Sequence, residues 1–187
     1  MSYSLFLYPD ADNSCSIKKP ELKSFLIQHQ FCASEENQAN VDTLTGGKLL
    51  MDYITFLGCS PALESGGTAS TISVHAFERV CGLGGESIQA IRFPGCKHPI
   101  SDPATLLSDH APDDHWQCPD CGQQGAMHSI NWRKTAGFAK IFIEVKPIFP
   151  GEAIPSDKLL NLLHSFTGSS WDWFYSKSRH PEPVVKL

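Results

Sequence analysis

Long apolar runs are missing from this chain. No stretch approaches the ~18 apolar residues that a membrane-spanning helix requires, so no membrane span is expected. The N-terminal apolar run is only Leu5 to Tyr8. It has no basic residue before it and ends at Pro9-Asp10, which is not the pattern of an export signal. A basic surplus is missing too. Fifteen Lys and Arg face 20 Asp and Glu, a formal net charge of -5. Nucleic-acid binders that neutralise phosphates show the opposite balance, so nucleic acid is not the expected partner. Internal repeats and low-complexity segments are also absent.

Familiar catalytic arrangements are absent as well. There is no Gly-x-Ser-x-Gly elbow. A zinc deaminase needs His-x-Glu followed by Pro-Cys-x-x-Cys. The chain contains no His-x-Glu, and Gln117 stands before Cys118. Thr45-Gly46-Gly47-Lys48-Leu49 has the lysine of a phosphate loop, but Asp42 replaces its first glycine and Leu49 its Ser or Thr. Gly82-Leu83-Gly84-Gly85-Glu86-Ser87 lacks the third glycine of a dinucleotide fingerprint. Both segments read as turns.

What the chain does have is cysteine: Cys15, Cys32, Cys59, Cys81, Cys96, Cys118 and Cys121. An odd number, irregularly spaced and without an export signal, reads as reduced thiols in a cytoplasmic protein. The first four are expected to be packing or surface thiols. Cys118-Pro119-Asp120-Cys121-Gly122 is different. Two cysteines two residues apart, closed by a glycine, form a tight turn that offers two thiolates to one ion. Zinc takes four such ligands in a tetrahedron, often with the second pair about twenty residues away. Cys96 lies at that distance, with 21 residues between it and Cys118. A symmetrical ribbon would carry its fourth ligand three residues after Cys96, where Pro99 stands. His98 is the first choice instead. His115 is second, because His115-x-x-Cys118-x-x-Cys121 has its own regular spacing, and His110 is third. The expected zinc ligands are therefore Cys96, His98, Cys118 and Cys121.

Catalytic zinc keeps one position open for water and needs a base nearby. Asp109, Asp113 or Asp114 would supply that carboxylate, with His115 beside them. Cysteine-rich closed sets are mostly structural, and the aspartates then form a solvated acidic loop. From Pro94 to Gly122 one lysine faces five aspartates, a net -4 that repels phosphate. Between Asn131 and Lys146, Arg133, Lys134, Lys140 and Lys146 against Glu144 give +3. With Trp132 and Phe138 interleaved, this is either a small basic-aromatic patch or the solvated flank of a core strand.

The 187 residues suit one domain with an insertion, or two small domains. Ser4 to Tyr8 reads as a strand. Residues 20–31 read as an amphipathic helix with Pro20 in its first turn, and Lys48 to Leu57 as a second helix. Thr71 to Val80 alternates Ile72, Val74 and Ala76 as a strand does, before Gly82, Gly84 and Gly85 break it. Ser87 to Phe93 is another strand, and Phe138 to Val145 a buried one ended by Pro147. Ser156 caps a leucine-rich helix that Gly168 stops. Trp171 to Tyr175 is the last strand, with Trp171, Trp173 and Tyr175 on one core-capping face. The class is α+β: a mixed sheet packed by two or three helices. A zinc-ribbon-like insertion, 94–125, separates an N-terminal part, 1–93, from a C-terminal strand-helix-strand part, 126–180, and 181–187 is a tail.

Several segments together resemble an uncharacterised family of bacterial proteins, some of whose members are labelled sugar transporter ATPases. They are Leu44-Thr45-Gly46-Gly47-Lys48, Phe56-Leu57-Gly58-Cys59-Ser60-Pro61, the Cys118–Cys121 turn, Asn131-Trp132-Arg133, and Ile148-Phe149-Pro150-Gly151-Glu152-Ala153 with the helix that follows. The resemblance spans most of the chain and implies no established activity. The ATPase label conflicts with the altered phosphate loop. The turn is also similar to zinc ribbons generally, from which Pro99 is a departure. The expectation is a soluble cytoplasmic protein with structural zinc and a binding or regulatory role through protein partners. The rival is a zinc-dependent hydrolase, and a weaker third reading is nucleic-acid binding through Arg133 and Lys134.

Overall fold

The computed structural model describes residues 3–10, 16–33, 43–58, 70–85, 91–109 and 115–177. Its main sheet has five strands: β1 (Tyr3–Pro9), β2 (Thr43–Thr45), β4 (Thr71–Gly84), β7 (Ala136–Ile148) and β9 (Trp171–Lys177). They lie in the order β2-β4-β7-β1-β9. Two small ribbons pair β3 (Ile54–Phe56) with β8 (Ala153–Pro155), and β5 (His115–Gln117) with β6 (Gln124–Ala126). The helices are α1 (Lys19–Gln28), α2 (Leu50–Tyr53), α3 (Pro103–Asp109) and α4 (Asp157–Thr167). The α+β class therefore holds. All ladders among the described residues are antiparallel, so the sheet is not mixed in strand direction. No helix among these residues is long and apolar enough to cross a membrane.

Alternation along β7 gives the sheet two faces. Ile141, Ile143 and Val145 enter a core with Leu22 and Leu26 of α1 and Leu159 and Leu163 of α4. Trp171 belongs to that core, with Trp173 and Tyr175 packed against it, as their shared parity requires. Phe142 faces the other way and joins Phe6 and Phe174. Glu144 is on this face too, only 1% exposed. Ser4 Oγ donates to its Oε1 at 2.6 Å, and His75 Nε2 lies 2.9 Å from its Oε2. Burial opposes ionisation of Glu144, but His75, Ser4 and the charge of Lys146 outweigh it and hold the carboxyl below its ordinary range.

Three elements differ from the sequence expectation. The helix expected over 48–57 shrinks to α2, because Ile54–Phe56 is claimed by a ladder with Ala153–Pro155. β4 runs through Gly82 and Gly84 instead of stopping at them. The ring of Phe138 lies where a Gly82 side chain would be, and Gly84 takes a φ of +104. β7 likewise continues past Pro147 to Ile148. Of the strand expected over 87–93, the structure describes only the end: Ile91 accepts from Ile100 and Phe93 donates to His98, the two sides of a hairpin. Helix α4 keeps its expected ends, with Leu159 N–H donating to Ser156 Oγ and Gly168 at φ 73°.

Candidate metal centre

A second hydrophobic core, separate from that under the helices, supports the cysteines. It gathers Ile91, Phe93, Ile100, Leu107, Trp116, Cys118, Met127, Ile130, Trp132, Ala136 and Phe138. Phe93 lies 5.2 Å from the ring of Trp116, and Trp116 Nε1 donates to Ser129 Oγ at 3.0 Å. Gly125 faces Trp116 across the β5–β6 ladder, and a Cβ there would sit 2.6 Å from the indole. The ribbon is thus held by an indole lying over a glycine, and a metal would not have to build it alone.

Two turns leave this core. The first, 93–98, closes the hairpin of Ile91 and Ile100; the second, 118–123, joins β5 to β6. They bring Cys96, Cys118 and Cys121 together, with every sulfur within 4.8 Å of the others. Cys96 Sγ and Cys118 Sγ are 3.6 Å apart. Zinc–sulfur bonds of ~2.3 Å in a tetrahedron place sulfurs about 3.8 Å apart, so the spacing suits one such ion. The donor chemistry suits it as well. Burial opposes ionisation of Cys118, but the N–H groups of Cys121 and Asp120 and the two neighbouring thiols outweigh it and lower its pKa. For Cys121, the N–H of Gln123 pulls the pKa down. Burial, the other two thiols and negative charge on Cys118 outweigh that and raise it. A cation would discharge such a crowded thiol group, which a metal binds as thiolates.

His98 stands outside this group. Its Nε2 is paired with Asp120 Oδ2, and both side chains are about half exposed. His115 is exposed at the start of β5, and it too is outside the group. His110, Asp113 and Asp114 lie outside the described residues, as does the side chain of Asp109. Asp102 caps α3, its carboxylate accepting from Thr105 N–H at 3.0 Å and Thr105 Oγ1 at 2.7 Å. Those bonds hold its pKa below the ordinary value. Cys32 and Cys81 are buried packing thiols, and burial pushes each pKa up to about 12. Cys15 and Cys59 lie outside the described residues.

A cleft of about 590 Å³ opens where the end of the second core meets β1 and β9. Its walls include Tyr8, His128, Lys134, Asp172 and Trp173. Lys134 is paired with Asp172, and its ammonium lies 3.7 Å from the ring centre of Trp173. Of the four cations expected to form a basic patch, Lys134 is thus neutralised and Lys146 lies 3.5 Å from Glu144. Sequence reasoning missed this cleft, because its walls come from three distant segments with no common motif.

No family model matches the sequence, and no curated protein or solved structure is significantly similar to it.

Proposed function

We propose that this chain binds one zinc ion through Cys96, Cys118 and Cys121, and that the ion is structural. It would tie the two turns together across the ribbon. The observation that carries this reading is the convergence of three sulfurs from two turns within 4.8 Å of one another, with Cys96 and Cys118, 22 positions apart, at the 3.6 Å spacing that a tetrahedral ion suits. The protein's role is then binding or regulation through protein contacts. Leu57 and Phe149, 64% and 60% exposed, flank the same end of the β3–β8 ribbon and offer apolar contact area. A hydrolase would need a free carboxylate by the metal. Among the described residues, Asp120 of the second turn is engaged by His98, and Asp102, before α3, is committed to its helix cap.

Elemental analysis tests the site. The purified chain should carry zinc at one equivalent, and Cys118→Ser and Cys121→Ser should each lose it. Stoichiometric zinc in both variants would remove the site from these residues.

A further inference from the structure

The two turns share one backbone pattern. In the first, Phe93 N–H donates to His98 O at 2.9 Å and Lys97 N–H donates to Phe93 O at 3.1 Å. In the second, Cys118 N–H donates to Gln123 O at 2.8 Å and Gly122 N–H donates to Cys118 O at 3.0 Å. The fifth residue of each has positive φ: 57° at Lys97 and 72° at Gly122. The second residue of each is proline, Pro94 and Pro119, and the fourth is cysteine, Cys96 and Cys121. Position for position, Phe93 stands where Cys118 stands.

The side chains repeat the match. His98 and Gln123 are the sixth residues, and each reaches across to the third residue of the opposite turn. His98 meets Asp120. Gln123 lies against Gly95, where an added Cβ would fall 2.9 Å from its Oε1. The pairing of His98 with Asp120 is therefore half of a reciprocal clasp between turns. Each cysteine of the second turn has a counterpart in the first, and the counterpart of Cys118 is an aromatic ring buried against Trp116.

We propose that the metal takes only three thiolates from this chain, and that its fourth ligand is an exchangeable small donor from solution. This rests on the zinc site proposed above and extends it. The ribbon is a four-thiolate frame with one ligand position filled by phenylalanine. Cys121 is exposed, so solution reaches the thiol group from its side. The ion still cross-links the turns, while the open position lets an outside ligand bind or withdraw it, which is what a regulatory role would use. His98 holds the clasp and is not the fourth ligand.

The test uses cobalt in the full chain, because thiolate-to-cobalt absorption counts sulfurs. Wild-type protein should bind one cobalt, and mercaptoethanol should raise that absorption by about one third as three sulfurs become four. His98→Ala should leave the starting spectrum unchanged. Phe93→Cys should show the higher absorption without added thiol and should not respond to it. If His98→Ala alters the spectrum and mercaptoethanol does not alter the wild type, imidazole holds the fourth position and this inference is overturned. Should Phe93→Cys fail to fold, the histidine variant and the thiol titration decide alone. A wild-type chain that binds no cobalt or zinc would overturn the zinc site itself, and this inference with it.

Discussion

Removing the metal should cost the protein a calculable part of its stability. Cys96 and Cys118 are 22 positions apart, and one ion bound to both closes that loop in the unfolded chain as a covalent link would. For a loop of this length the chain-entropy relation gives about 11 cal/mol/K, or about 3.4 kcal/mol at 25 °C. In the opposite limit, where the ion leaves the unfolded chain, mass action gives the same value when free zinc stands about 300-fold above its Kd. In a chain of this size each kcal/mol moves the melting temperature by about 2–4 °C, so a chelator should lower it by roughly 7–14 °C. The loss should be local. The core between the sheet and helices contains no proposed ligand, so far-UV circular dichroism at 25 °C should be retained. Trp116, 3% exposed and two residues from Cys118, should report the change by a red-shifted emission. The assay is calorimetry of the full chain with and without chelator, repeated on Cys118→Ser. An unchanged melting temperature on chelation of a zinc-loaded protein would refute the reasoning, because an ion that cross-links these turns must stabilise them.

Other outcomes follow from the main sheet. Glu144 has a depressed pKa when folded, so the unfolded state takes up its proton first as pH falls. Its contribution is complete above the ordinary carboxyl value of about 4.3 and is lost as pH drops below it through the folded value. Urea unfolding between pH 3 and 6 should show a shallower pH slope in Glu144→Gln than in wild type, and equal slopes would contradict the assignment. Gly47→Ala should lower unfolding free energy by about 2–4 kcal/mol, because the new Cβ would lie 2.1 Å from the backbone oxygen of Gln30. A change below about 0.5 kcal/mol would mean that the segment shifts freely. Phe174→Ala, at a fully buried ring stacked 5.1 Å from Phe6, should cost about 3–5 kcal/mol in the same measurement. A change under about 1 kcal/mol would show that the far face of the sheet repacks without that ring.

Where local rules agreed with tertiary packing, the sequence was readable. Ser156 and Gly168 bracket a helix whose leucines meet the sheet, and the alternation of Trp171, Trp173 and Tyr175 matches their shared core. Where a distant partner decided, it was not. Leu49 to Leu57 carries helical spacing, yet the hydrogen bonds on offer from Ala153–Pro155 outbid the last turns of helix. Gly46-Gly47 looked like loop punctuation. In the fold Gly47 is a contact point: its N–H donates to Phe31 O at 2.8 Å, and only a residue without Cβ comes that close to the backbone of residues 30–32, just after α1.

The cysteine group shows the same division within a few residues. Cys118 and Cys121 carry their own signal, because two thiols and a glycine are a complete turn by themselves. The first turn is built to the same backbone plan, but a search by ligand spacing passes over it. With Cys96 taken as the first ligand of its pair, ligand spacing asks for a donor three residues later, and Pro99 is not one. The nearest donor is then His98, two residues beyond Cys96. The shared feature was visible one level down, in Pro94-Gly95-Cys96 against Pro119-Asp120-Cys121, because proline sets the entry to both turns and cysteine sits two residues later in each. Backbone hydrogen bonds specify a turn without regard to what its first side chain can ligate. A ligand can therefore be replaced while the turn survives, provided packing offsets the replacement, and the tilted contact of Phe93 with Trp116, ring centres 5.2 Å apart, supplies that packing.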